Sequence, residues 1–215
     1  MPSIEATCHL EIRDLHRSFG RLTVLRGVSA EVSAGQVLLV TGANGCGKST
    51  LLKCLAGLLA EDSGRILYRE NGLELDRSSR RQALGYAAPD VFFYGELTVA
   101  ENLRFFSRLR HLPPDQGLHL VERVGLPPDR LAAALSSGMM QRLRLCYALL
   151  HEPRLLLLDE PFQNLDAPGC EAVSRLVAEH LRRGVAVIAN PGPLDLHLNL
   201  DLDADHEIRP LVLAG

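Results

Sequence analysis

Gly42 and Gly47 bracket four residues just ahead of Lys48-Ser49 in the stretch VLLVTGANGCGKST, a spacing that lets successive backbone N–H groups turn inward around an anion. Glycine suits such a loop because it tolerates positive φ and lets a ligand approach the backbone closely. A helix starting near Lys48 aims its positive end at the same anion, Lys48 reaches β/γ-phosphate oxygens, and the Ser49 hydroxyl is placed to ligate Mg²⁺. Gly42, Ala43, Asn44, Gly45, Cys46, Gly47, Lys48, Ser49 and Thr50 are therefore the expected cradle for a nucleoside triphosphate.

A second chemical centre follows the apolar run Leu155–Leu158, which enters Asp159-Glu160-Pro161. Metal-assisted hydrolysis of a nucleoside triphosphate needs one carboxylate to hold Mg²⁺ and another group to orient or deprotonate water. Successive residues at a strand end point in different directions, so Asp159 is assigned to the metal with Ser49, and Glu160 to the water.

The elements needed to position these groups are legible in the pattern. Val37–Val40 reads as a strand before the loop, and Leu51, Leu52, Leu55 and Leu58 as the apolar stripe of the helix after it. His9–Arg13 and Val28–Val32 read as short antiparallel strands with Phe19-Gly20 in a turn between them, followed by strands at Gly64–Tyr68 and Ala83–Ala87. Thr98-Val99-Ala100-Glu101 is a capping box, opening a helix with Val99, Leu103, Phe106 and Leu109 on its apolar side. Pro113-Pro114 ends that helix, and a second runs up to Gly125. A third opens at Leu135-Ser136-Ser137-Gly138 with Ser136 as N-cap and Met140, Leu143, Tyr147 and Leu150 as its stripe. Ala172–Leu181 reads as a helix and Val185–Ala189 as a buried strand. The sum is one α/β domain over residues 1–215, a mixed sheet with an antiparallel part and a helical insertion at about 88–150.

With 215 residues, 47% of them hydrophobic, the chain can bury a substantial core. No apolar stretch approaches the roughly 18 residues a membrane span requires, and the start, MPSIEATCHL, lacks the pattern of a secretory leader. Five scattered cysteines without a C-x-x-C pair argue against a disulfide framework or zinc site and for a reducing cytoplasm. A net charge of −3 gives no electrostatic reason to bind nucleic acid. Asp201, Asp203, Asp205 and His206 fail as a calcium loop, because His206 and Val212 stand where a Gly and a Glu are required; Leu198, Leu200 and Leu202 alternate as in a half-buried strand.

The order GANGCGKST, LSSGMMQR, LLLLDEPFQNLD resembles the ATP-binding cassette ATPase family across essentially the full chain. The resemblance implies a P-loop fold, ATP and Mg²⁺ as ligands, and a second ATP-binding subunit that completes each site. Leu135–Arg142 is similar to the family's signature motif, so Ser136, Ser137 and Gly138 of one subunit are expected to contact the γ-phosphate held by another. Phe19 is expected to stack on adenine, with a core position as the competing reading. Asn164-Leu165-Asp166 resembles the loop that communicates across the dimer.

Three departures from the family pattern stand out. Ser137 and Met139 replace Gly and Gln of the signature. Pro89 stands where a Gln usually contacts metal or water, so either Asp90 substitutes or the contact is absent. Asn190 replaces the switch His, retaining a donor for γ-phosphate but no titratable cation. Glu160, Lys48 and Asn190 form the expected catalytic set. Cys46 either fills space or, near a helix start and Lys48, has a lowered pKa and reacts with alkylating reagents.

The implied role is the ATP-hydrolysing subunit of a transporter, peripheral at the inner face of the cell membrane, with transmembrane subunits as partners and slow turnover. Val91-Phe92-Phe93-Tyr94 supplies either an apolar socket for a partner's helix or core packing. The compact length, the expected absence of an added C-terminal domain, and Leu84-Gly85-Tyr86, Phe93-Tyr94, Leu97-Thr98 and Glu101–Phe106 look most like haem-exporter ATPases of cytochrome c maturation. The alternatives are a regulatory ATP-binding module that scarcely hydrolyses, favoured by the altered positions and opposed by Asp159 and Glu160, and a soluble cassette protein acting on ribosomes or DNA.

Overall fold

The computed structural model describes residues 8–192 and 207–213. The strand expected at Leu198–Leu202 and the acidic run from Asp201 to His206 lie outside these residues.

Strands β1 (Cys8–Phe19), β2 (Leu22–Ser33), β4 (Ser63–Glu70) and β5 (Leu73–Glu74) form an antiparallel sheet in the order β2-β1-β4-β5. β3 (Gln36–Thr41), β6 (Leu84–Ala87), β7 (Leu155–Asp159), β8 (Val185–Asn190) and β9 (Glu207–Val212) form a separate parallel sheet in the order β6-β7-β8-β3-β9. The expected mixed sheet is thus two sheets, one of each kind. β1 and β2 are longer than the expected strands because their pairing runs through register shifts between Ile12 and Ser18, which break the alternation that marks a strand in sequence.

The parallel strands are buried on both faces, and their alternate residues serve different layers. Leu39, Leu156, Leu158 and Ile188 face one apolar cluster with Val99, Leu103, Leu143, Val173 and Val177. Leu38, Val40, Leu155, Leu157 and Val187 face another with Leu51, Leu52, Leu55 and the antiparallel residues Leu10, Ile12 and Ile66. The phosphate-loop helix is therefore clamped between the two sheets.

Helix α1 (Lys48–Leu55) ends before Leu58, which is exposed and no part of the buried stripe. α2 (Arg77–Ala83), capped by Asp76 accepting from the Ser79 N–H at 2.7 Å, is additional to the expected elements and takes in Ala83, the first residue of the expected strand. Between β6 and β7 come α3 (Val99–Leu109), α4 (Leu118–Arg123), a short 3-10 turn at Ala132–Ala134, and α5 (Ser137–Leu149). The capping box is formed, with Thr98 Oγ1 accepting from the Glu101 N–H at 3.2 Å and Glu101 accepting from the Thr98 N–H at 2.8 Å. Leu109 is exposed; the buried face of α3 turns instead on Val99, Asn102, Leu103 and Ser107. α6 (Ala167–Leu181) begins five residues before the expected start, because Asp166 caps it on the Gly169 N–H at 3.0 Å.

Candidate functional site

β3, β7 and β8 end together, with Thr41 paired to Asn190 and Asp159 to Ala189. The loop after β3, the acids after β7 and Asn190 thus share the carboxyl edge of a parallel sheet, the place where α/β folds present ligand sites. Gly42, Gly45 and Gly47 have φ of 148°, 84° and 105°, in the region only glycine enters without strain. Space excludes a side chain as well: a Cβ on Gly47 would lie 2.7 Å from Val24, and one on Gly42 2.6 Å from Cys46 Sγ and 2.7 Å from the Leu213 carbonyl. Cys46 is buried, and its space-filling reading fits the packing.

Lys48 is buried, and its Nζ donates to the carbonyls of Gly42 (2.8 Å) and Ala43 (2.9 Å). These neutral acceptors hold the ammonium beside the loop amides, where an anion would take it over. α1 starts with no side-chain cap and no acid in its first turn, so its N-terminal amides remain for a ligand. Ala43, Asn44, Gly45 and Ser49 are exposed and Thr50 is half-buried.

Asp159 is buried at the end of β7. Burial raises its carboxyl above the ordinary value, and Asp90 adds to that rise; the hydrogen bond from Ser49 and the charges of Lys48 and Lys53 oppose it. Ser49 and Asp159 thus bring two hard oxygen donors together at a carboxylate that gains from a nearby cation, a donor set suited to Mg²⁺.

Glu160 is half-buried with φ of 49°, a left-handed conformation that costs a non-glycine residue about 1–3 kcal/mol. Three hydrogen bonds hold it. Its N–H donates to the Ala189 carbonyl (2.9 Å), and its carbonyl accepts from the Gln163 N–H (3.1 Å) and from Gln141 Nε2 (3.1 Å). Asn190 Nδ2 donates to the Gly192 carbonyl at 2.9 Å.

Of the departures, Pro89 presents its carbonyl to Arg144 Nη2 at 3.0 Å. Asp90 forms an ion pair with Lys53 at 2.8 Å and accepts from the Tyr86 hydroxyl at 3.3 Å; its charge is felt at Asp159. Phe19 is 48% exposed, with the Arg17 guanidinium 4.9 Å from its ring centroid. The ring lies outside the core, with the guanidinium over one of its faces.

Ser136 and Ser137 are exposed at the start of α5, with Ser136 accepting from the Met139 N–H at 3.3 Å. Gly138 is buried against the next loop, so that a Cβ there would lie 2.4 Å from the Asn164 carbonyl. This ties the signature-like residues to Asn164-Leu165-Asp166. Within Val91–Tyr94, Phe93 packs on the core cluster, while Phe92 is 80% exposed. The contacts of Gln141 and Arg144 lie outside what the sequence reading identified, because nothing in the pattern of α5, which also carries Arg142, sets them apart.

Comparison with known proteins extends the likeness. The ABC transporter family pattern matches residues 25–163. The Fe(3+) ions import ATP-binding protein FbpC 1 of Rhodococcus jostii (strain RHA1) is 37% identical over 182 residues, covering 82% of this chain and 53% of that protein. The sulfate/thiosulfate import ATP-binding protein CysA of Methylococcus capsulatus is 38% identical over 168 residues, covering 74% and 48% respectively. The chain spans about half the length of these relatives. Among solved structures, an ATP binding subunit of an ABC transporter superposes with a TM-score of 0.74 at 29% identity, covering 85% of this chain and 79% of that one. A dimeric post-hydrolysis ATP-binding cassette bound to ADP and Pi shares the fold, with a TM-score of 0.73 at 19% identity and coverage of 84% and 87%.

Proposed function

The chain belongs to the ABC transporter family, and from that premise we propose that it is an ATP-binding subunit that binds and hydrolyses ATP to drive transport through transmembrane partners. No helix among the described residues is long and apolar enough to cross a membrane, so the pathway is assigned to other chains, with this one peripheral at the inner face of the membrane. Residues 1–215 are read as a single ATPase domain with its helical part at about 88–150. The observation that carries the proposal is the meeting of Lys48, Ser49 and Asp159 at one sheet edge, with Glu160 next in sequence.

In the proposed reaction, the amides of Asn44–Ser49 enclose the phosphates, and Lys48 exchanges the Gly42 and Ala43 carbonyls for phosphate oxygens. Phe19, half-exposed beside Arg17, is the ring assigned to stack on adenine. Ser49 and Asp159 would hold Mg²⁺, which when bound neutralises charge on the phosphates. Glu160 accepts hydrogen bonding from the attacking water and takes its proton. Asn190 turns its amide from Gly192 to the γ-phosphate. Ser136, Ser137 and Gly138 of a second subunit close over that phosphate with their helix amides.

No cargo is assigned: these relatives are named for Fe(3+) and sulfate/thiosulfate import, and the haem-exporter likeness rests on the sequence resemblance and not on them. The test compares the purified chain with Glu160→Gln by Mg-ATP calorimetry and phosphate release. Binding is expected to persist while hydrolysis falls by roughly 10²–10⁴-fold. Equal hydrolysis rates remove Glu160 from the reaction, and absence of Mg-ATP uptake removes the whole reading.

A further inference from the structure

Arg144 lies on α5, half-buried, and its guanidinium makes contacts in two directions. Nε donates to the Val91 carbonyl (3.2 Å) and Nη2 to the Pro89 carbonyl (3.0 Å), so one planar group grips two carbonyls of the loop that follows β6. Nη1 donates to Gln141 Oε1 at 3.2 Å. Gln141 is buried, and its Nε2 reaches the Glu160 carbonyl at 3.1 Å.

The order of donors and acceptors fixes this chain's direction. A guanidinium only donates, so the Gln141 oxygen must face Arg144 and its NH₂ must face Glu160. Without Arg144 the Gln141 amide is free to turn over, setting its oxygen against the Glu160 carbonyl oxygen. Glu160 is sensitive to that loss because its φ of 49° is held by surrounding hydrogen bonds. At the other end, exposed Phe92 lies between the two gripped carbonyls and Phe93.

We propose that Arg144 is a positioning residue that, through Gln141, ties the Pro89–Val91 loop to the Glu160 turn and so fixes the placement of the Glu160 carboxylate. The proposal rests on the reading of Glu160 as the group that handles the attacking water. It gives the loop a route to the site that bypasses the side chain Pro89 lacks.

The experiment uses Arg144→Lys, which keeps the charge but lacks the planar fork, and Gln141→Glu, which keeps the acceptor for Arg144 but removes the donor to Glu160. Both are expected to lower kcat by roughly 10–100-fold, as misplacement of a reacting group does, with KM for ATP within about twofold of the parent. Amide hydrogen exchange is expected to accelerate at residues 160–164 in both variants and to stay unchanged in β7. Unchanged exchange at 160–164 in Arg144→Lys overturns the tie, whether or not the chain is active; a parent no faster than Glu160→Gln overturns only the role of Glu160. Should both variants fail to fold, the unmutated chain still decides: slowly exchanging Gln141 Nε2 and Arg144 Nε protons by NMR support the tie, and rapid exchange overturns it.

Discussion

α1 and α5 each present a helix start as a candidate contact for phosphate, and they are finished differently. α1 begins on Gly47 with no side-chain cap, has Lys48 folded back over the loop, and is backed by Val24 so tightly that a Cβ has no room. α5 begins on Ser136, which takes up the Met139 N–H, and the basic side chain at its first turn, Arg130, donates to Met139 Sδ at 3.5 Å. The first start keeps its donors and a cation for an anion; the second satisfies part of its need internally. On the proposed reading, α1 binds nucleotide within one chain, and α5 adds only a closing contact to a phosphate already held by another copy.

The strongest break of this contrast is Lys48→Ala, which is expected to weaken Mg-ATP binding by the isolated chain roughly 10–100-fold, the value of a charge-assisted hydrogen bond. Calorimetry measures it, and unchanged affinity would mean that the amides alone suffice. Gly138→Ala tests the other start. Its new Cβ meets the Asn164 carbonyl at 2.4 Å, so a destabilisation of about 1–3 kcal/mol is expected from overpacking. ATP-dependent dimerisation in sedimentation should be lost while monomer affinity holds; loss of both would merge the two helix starts into one site. The smallest effect belongs to Ser136→Ala. Loss of the cap should cost about 1 kcal/mol in urea unfolding and leave Mg-ATP affinity alone.

What could be read from sequence was local. The phosphate loop, its strand and the start of its helix follow from glycine spacing and an apolar run, and Thr98 and Glu101 announce a helix within four residues. β9 escaped because Pro210 interrupts its pattern, which is tolerable only because β9 is the edge strand beside β3. Leu58 and Leu109 misled because an apolar residue at helical spacing says nothing about whether the helix continues or what covers it. The grip of Arg144 on Pro89 and Val91 spans more than fifty residues, and no periodicity encodes such a contact. The antiparallel strands were shortened in the sequence reading because their bulges interrupt the period of two.

Leu213 donates its N–H to the Thr41 carbonyl at 2.8 Å and sets its own carbonyl where a Gly42 side chain would stand. The first turn of the nucleotide loop is therefore walled by a segment that lies about 170 residues further along the chain. A nascent chain emerging from the ribosome has the whole glycine motif long before it has that wall, and closing so long a stretch is a late event in folding. Competence to grip a nucleotide should accordingly lag well behind synthesis of the motif itself.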